Sequence, residues 1–189
     1  QDVGAIADGD DMEAVLKAIN DNVDNVTASA FNVVVAKNAG TGVTTVGQMD
    51  IAVKELGQTT ATTFEISASD NMAELVANIN NETGGVVAAS VNSDGKLVLS
   101  NNTGAAIQIV DASSGNGSGF IATSNVYGGF VKLTADDDNP VRIEIGNLHG
   151  TSPGTVTDLA GLGFRETTSE TDDDAYTLTG ISLTDVTTA

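Results

Sequence analysis

Few residues in this sequence could form an active site. His149 is the only histidine, and it lies in the loop sequence NLHGTSPG, which contains no nucleophile motif. A Ser–His–Asp triad needs three residues held in three separate roles, so we interpret His149 as a surface histidine. The chain has no cysteine, and a single histidine cannot complete a tetrahedral zinc site. The residue types therefore predict no catalytic residues and no zinc.

Two acidic runs are candidates for a metal site. Asp136–Asp138 and Asp172–Asp174 each contain three consecutive aspartates. Calcium loops place their ligands at alternate positions and add a distal Glu, whereas consecutive aspartates point in different directions. We interpret both runs as solvated turns and predict no metal site. Weak binding of calcium or sodium is the alternative that the sequence leaves open.

The sequence gives little support for a glycosidase site or a phosphate-binding loop. The 26 acidic residues could supply the carboxylate pair of a glycosidase. Carbohydrate sites also use aromatic platforms, however, and the chain has two Tyr, five Phe and no Trp. The sequence GNGSG at residues 115–119 resembles a fragment of a phosphate-binding loop, but it lacks Gly-Lys-Ser/Thr and no strand-to-helix junction follows. We interpret it as a linker and predict no cofactor.

Charge limits the class of partner. The formal net charge is -19, from 26 acidic and 7 basic residues. This charge repels phosphate backbones and anionic membrane surfaces, and no apolar run approaches the ~18 residues of a membrane span. We predict no nucleic-acid and no membrane partner, and interpret the charge as a solvated surface. Because residue 1 is neither Met nor the start of a signal-peptide pattern, we expect a piece of a longer protein.

One helical pattern occurs twice in the chain. The sequences DDMEAVLKAIN (residues 10–20) and DNMAELVANIN (residues 70–80) each place apolar residues at i, i+3, i+4 and i+7, which is the buried stripe of a short amphipathic helix. At an offset of 60 residues, 10–32 and 70–92 align without a gap. The stripes consist of Met12, Val15, Leu16 and Ile19, and of Met72, Leu75, Val76 and Ile79. The duplication predicts a repeated structural unit and gives no reason to place chemistry in its helices.

Local signals define the ends of these helices and the strands beside them. Asp10 with Glu13, and Asn71 with Glu74, are spaced as cap and third helical residue, and the pair Gly84-Gly85 ends the second helix. In the second copy, Ser93-Asp94-Gly95 predicts a hairpin turn between two β-rich runs. In the first copy, the strand patterns 26–37 and 48–56 occupy the corresponding places around a looser turn, NAGTG.

These patterns predict an α+β fold that is mainly β, built of tandem small modules in which strands and hairpins pack with a short amphipathic helix. The predicted boundaries are 1–58 for a first module, 59–112 for a second, 113–119 for a flexible joint and 120–189 for a β-rich third segment. Merging of these modules into one or two compact domains is left open.

The sequence from 62 to 109, TTFEISASDNMAELVANINNETGGVVAASVNSDGKLVLSNNTGAAIQI, resembles the IN repeat of bacterial flagellins and flagellar hook-associated proteins. The shared pattern is a strand, an acidic cap, a helix ending in Asn, a Val-Ala strand and DGKLVLSN. Residues 10–32 resemble a second, degenerate copy. TDLAGLGFRE (157–166) resembles the phrase that closes such modules, and ISLTDVTTA (181–189) resembles the return to the conserved C-terminal helix of flagellin.

The resemblance implies a structural and antigenic role without catalysis: the surface-exposed, hypervariable region of a flagellin, in the extracellular filament that drives motility. It implies neighbouring flagellin subunits as partners, mainly through terminal helices not seen in this sequence, O-linked glycans on surface Ser and Thr, and a monomeric isolated fragment. It transfers no catalytic, cofactor or metal residues. The alternatives are a filament-cap or hook-associated module, and a bacterial adhesin or carbohydrate-binding module.

Overall fold

The computed structural model describes residues 12–112, 117–120, 124–136, 141–144 and 175–177. Within these residues the chain forms two α-helices and ten β-strands. The helices are α1 (Met12–Asn22) and α2 (Met72–Glu82). The strands are β1 (Val26–Ala39), β2 (Met49–Lys54), β3 (Thr62–Glu65), β4 (Ala88–Val91), β5 (Lys96–Asn101), β6 (Ala106–Asp111), β7 (Asn125–Tyr127), β8 (Phe130–Ala135), β9 (Arg142–Glu144) and β10 (Ala175–Thr177). The predicted class, α+β and mainly β, is confirmed.

The chain divides into two compact units. The larger unit is Ala30–Gly129, and the smaller unit combines Gln1–Ser29 with Phe130–Ala189. In sequence, the boundary between them falls after Ser29. The predicted module boundaries follow the sequence repeat, whereas these units follow spatial contacts, so the module boundaries stay predictions.

Two antiparallel sheets form the larger unit. One has the order β4-β5-β1 and the other has the order β3-β2-β6-β7. Both sheets and α2 contribute to one hydrophobic core, in which Leu75 and Ile79 of the helix are fully buried. The strand residues of this core include Val34, Ile51, Val53, Leu97, Leu99, Ile107 and Ile109. The apolar stripe predicted for α2 therefore packs as expected.

The ends of α2 follow the predicted capping pattern. Asn71 is the N-cap, and its side chain accepts a hydrogen bond from the Glu74 amide at 3.0 Å. The Glu74 carboxylate in turn accepts one from the Asp70 amide at 2.8 Å, so two otherwise unpaired amides are satisfied. Gly84 and Gly85 take φ values of 60° and 86° after the helix ends. The corresponding cap at Asp10 lies outside the described residues.

The hairpin predicted at Ser93-Asp94-Gly95 joins β4 to β5. Gly95 has a φ of 74°, a conformation that glycine adopts without a steric penalty. The Asn92 side-chain oxygen accepts hydrogen bonds from the amides of Asp94 and Lys96, each at 3.0 Å. The turn thus combines a flexible backbone with a local side-chain cap, and the prediction is confirmed.

The looser hairpin expected around NAGTG is wrong. Strand β1 pairs with β5, whereas β2 pairs with β3 and β6, so β1 and β2 belong to different sheets. The connection crosses between the sheets and is held by its backbone: the amides of Thr41 and Gly42 both donate to the Gly117 carbonyl oxygen at 3.0 Å. Val43, just beyond, is fully buried in the core.

Residues 117–119, which form the C-terminal end of the predicted flexible joint, are packed against the rest of the larger unit. Ser118 is fully buried and donates its hydroxyl hydrogen bond to the Asp111 carboxylate. The Gly119 carbonyl oxygen accepts from the Asn38 amide at 3.1 Å, and a Cβ added at Gly119 would overlap the Asn38 carbonyl oxygen. Glycine is needed at 119 for close backbone approach, so the interpretation of residues 117–119 as a linker is corrected.

The smaller unit has its own core and strands. Val15 and Ile19 of α1 pack with Ala28 of β1 and Val131 of β8, and β8 lies next to β1 in its sheet. Within the segment 120–189, predicted to be β-rich, the described residues include β8, β9 and β10, and β9 pairs antiparallel with β10. In the part of the chain described here, no helix has the length and apolarity needed to cross a membrane.

Candidate functional site: a helix–strand clamp

The repeated feature of this fold is an Ile-Asn pair in the last turns of each helix. Ile19 and Ile79 are buried in the cores of their respective units. Consecutive helical residues are rotated by about 100° around the helix axis, so the following residue, Asn20 or Asn80, leaves the core face. Each asparagine instead meets the strand that comes after its helix.

Each asparagine makes two hydrogen bonds to one strand residue. Asn80 Nδ2 donates to the Ala89 carbonyl oxygen at 3.1 Å, and Asn80 Oδ1 accepts from the Ala89 amide at 2.8 Å. Asn20 makes the same pair with Ala28, at 3.0 and 2.7 Å. This is the two-bond exchange of a hydrogen-bonded residue pair in an antiparallel sheet, with a carboxamide in place of a peptide. We call each arrangement a helix–strand clamp.

In the larger unit, Thr83 adds to the clamp. Its buried hydroxyl lies 2.8 Å from the Ile79 carbonyl oxygen and 3.0 Å from the Val87 carbonyl oxygen. The single hydroxyl proton therefore links the end of α2 to the residue before β4. In the smaller unit the equivalent position is Val23, which is partly buried against the core and has no hydroxyl. The two clamps share the asparagine and differ in this second contact.

The clamp reveals a one-residue shift between the copies. The helices repeat at an offset of 60 residues, but the clamped alanines, Ala28 and Ala89, are 61 apart. The expected gapless alignment pairs Ala28 with Ala88, which is exposed, whereas Ala28 is buried and Ala89 is half-buried. The gapless alignment is therefore wrong beyond the helices, because the connection containing Gly84 and Gly85 is one residue longer.

Most residues singled out for chemistry lie outside the described part of the chain: His149, Asp137, Asp138 and Asp172–Asp174. Asp136 is described, and its carboxylate accepts a hydrogen bond from the Thr27 hydroxyl, with oxygen–oxygen distances of 3.0 and 3.2 Å. Among the described residues, no group of three or more His, Asp or Glu is arranged to hold a metal ion. The predicted absence of catalytic, cofactor and metal residues stays a prediction.

Sequence reasoning missed the role of the two asparagines. The helical pattern alone places Asn20 and Asn80 at the end of a repeated helix, and the signal for their role is that asparagine occurs at the same place in both copies. Sequence reasoning also missed Asn32, which is 1% exposed. Asn32 Nδ2 donates to the carbonyl oxygens of Ala105 and Tyr127 at 3.0 and 2.9 Å. These asparagines bond to backbone groups, so the arrangement is suited to holding structure.

Comparison with known proteins supports the resemblance within the larger unit. Residues 50–103 match the flagellin hook IN motif, a span that includes Asn80, Thr83 and Ala89 and amounts to less than half of the chain. A search among curated proteins found no match. Among solved structures, the chain is similar to a crystal structure of the D1-D2-D3 domains of the flagellar cap protein FliD from Escherichia coli. The identity is 15%, the match covers 61% of this chain and 44% of that chain, and the TM-score is 0.27.

Proposed function

We propose that this chain is a structural component of the bacterial flagellum, and more narrowly the surface-exposed variable region of a flagellin, extracellular and without catalysis. The observation that carries the proposal is the flagellin hook IN motif at residues 50–103. Within it, Asn80 joins a helix to a sheet through two hydrogen bonds to Ala89. A second clamp of the same kind at Asn20 extends this structural use beyond the matched span.

The composition supports the same role. A chain without cysteine forms no disulfide that would delay export or refolding outside the cell. A net charge of -19 makes crowded copies repel one another. On this proposal, the partners are neighbouring flagellin subunits, bound mainly through terminal helices outside this sequence. The exposed surface then contributes antigenic variation and sites for O-linked glycans on Ser and Thr.

The second candidate is a filament-cap or hook-associated module, since the IN motif also suits those proteins. The closing phrases at 157–166 and 181–189, which resemble flagellin, favour the filament. The module boundaries at 58/59 and 112/113 belong to the same proposal, as sequence units added to an outer domain.

Immunogold labelling of the source bacterium separates these candidates. An antibody raised against the 189-residue chain is expected to label flagella along their whole length. Labelling confined to the tip would assign the chain to the cap, and labelling at the base of the filament would assign it to a hook-associated protein. Labelling of the cell body alone would overturn the flagellar proposal in favour of an adhesin.

A further inference from the structure

The clamp in the larger unit covers the edge of a sheet. Strand β4 is the terminal strand of its sheet and pairs only with β5 among the described strands. In an antiparallel sheet, the amide and carbonyl of one residue point to the same side, and successive residues alternate. Because both groups of Ala89 bind Asn80, Ala89 faces away from β5. By alternation Val87 and Val91 face the same way.

Side chains of α2 therefore take the place of a neighbouring strand. Asn80 satisfies both backbone groups of Ala89, and Thr83 binds the Val87 carbonyl oxygen at 3.0 Å. An uncovered edge strand is a template for pairing with another chain, and proteins protect it with charges, proline, a bulge, a very short strand or a covering helix. The residues Ala88–Val91 include no charge and no proline, and their pairing with β5 has an unbroken register. Strand β4 has only four residues, and its outer edge is protected by side chains of α2 and not by charges, proline or a bulge.

We propose that the outer edge of β4 is a pairing surface for a second copy of this chain, and that Asn80 and Thr83 keep it closed. Antiparallel pairing of β4 with its own copy is two-fold symmetric and self-complementary. It also brings no like charges together, because Ala88–Val91 is uncharged in a chain with a net charge of -19. By contrast, the edge strand β3 carries Glu65. This inference does not depend on the flagellar role.

Opening this surface requires the last turn of α2 to leave the edge. The apolar contacts of Leu75 and Ile79 hold the helix as a whole in the core, while the bonds of Asn80 and Thr83 hold its end against β4. Loss of these bonds leaves backbone groups of Ala89 and Val87 that a partner strand can satisfy. The smaller unit shows the same arrangement, because Asn20 binds both backbone groups of Ala28 in β1. Ala28 comes before Asn32, which is the first β1 residue paired with β5.

Sedimentation velocity of the full 189-residue chain tests this proposal. The variants are Asn80→Ala and the double variant Asn80→Ala/Thr83→Val, and both are compared over a range of protein concentrations. We expect a concentration-dependent rise of the apparent mass, up to about twofold for a symmetric dimer, while the wild type does not shift. The double variant associates at lower concentration than Asn80→Ala.

Two controls separate edge pairing from general destabilisation. Ile79→Val shortens a fully buried side chain but leaves both clamp bonds in place. Its association is compared with that of Asn80→Ala at urea concentrations that unfold the same fraction of each variant. The second control adds Ser90→Lys, an exposed edge lysine of the kind that blocks strand pairing, to Asn80→Ala. Association of Ile79→Val to the same extent, or association that Ser90→Lys does not reduce, overturns the proposal, as does a strictly monomeric Asn80→Ala.

A measurement on the wild type covers the case in which the variants do not fold. Amide hydrogen exchange of Ala89 is expected to be as slow as that of Ala88 and Ser90, whose amides face β5. Exchange of the Ala89 amide at the rate of an exposed loop would show that no side chain covers the edge, and the proposal would then be wrong.

Discussion

Replacement of Asn80 by alanine measures what the clamp contributes to stability. The substitution removes two neutral hydrogen bonds at the end of α2, and each is worth about 0.5–1.5 kcal/mol net. Alanine is a better helix former than asparagine, so the substitution also adds about 0.6 kcal/mol of helix stability. We therefore expect the larger unit to lose about 1.5 kcal/mol of unfolding free energy.

The matched control is the neighbouring residue, Asn81. It lies on the same helix and is exposed, so Asn81→Ala keeps both clamp bonds and gains only the helix propensity. We expect Asn81→Ala to change stability by no more than about 0.6 kcal/mol, in the stabilising direction. The difference between the two variants then isolates the carboxamide, at about 2 kcal/mol.

Urea unfolding followed by backbone amide signals in NMR is the suitable assay. The two compact units need not unfold together, so amide signals from each unit report its own transition. Dilute protein avoids any contribution from association. If Asn80→Ala and Asn81→Ala agree within about 0.5 kcal/mol, a difference typical of neutral surface changes, then the clamp bonds contribute nothing net to stability, contrary to this prediction.

Three further predictions test the two cores, the packed end of residues 117–119 and the helix cap. Leu75→Ala should cost the larger unit about 2–5 kcal/mol and leave the smaller unit's transition in place, whereas Val15→Ala should affect the smaller unit; a shared loss in both would contradict separate cores. Gly119→Ala should destabilise the larger unit by more than Gly47→Ala, because both have positive φ but only residue 119 meets a backbone carbonyl oxygen; equal losses in urea unfolding would contradict close packing there. Asn71→Ala should cost about 1 kcal/mol and speed amide exchange in the first turn of α2, and unchanged exchange would contradict the cap.

Features governed by near neighbours in sequence could be predicted. The range of α2 follows from its apolar spacing, its start from Asn71 and Glu74, and its end from Gly84 and Gly85. The turn at Gly95 likewise depends on a few adjacent residues. In each case the side chain and the backbone group that it satisfies lie within about one helical turn or one hairpin, so the pattern alone contains the contact.

The partner of β1 could not be predicted in this way. Sequential strands lie side by side more often than not, which favoured pairing of β1 with β2. The structure instead pairs β1 with β5 and places β2 between β3 and β6. Both strands have alternating patterns that fit either neighbour, and the choice depends on which side chains fill the shared core. Similarly, a run rich in Gly and Ser indicates flexibility, but burial of Gly119 depends on a distant partner, Asn38.

The clamp explains why isoleucine and asparagine must be adjacent in the sequence. A rotation of about 100° per residue allows one of them to enter the core while the next reaches the strand beside it, and a shift of the pair by one position toward the C-terminus would place isoleucine where asparagine now binds the strand. The strand residue is alanine in both copies, Ala28 and Ala89, and each makes two backbone bonds of 2.7–3.1 Å to its asparagine. The connection between helix and strand is less constrained, since its length differs by one residue between copies. The repeat therefore keeps the contact and not the spacing along the chain.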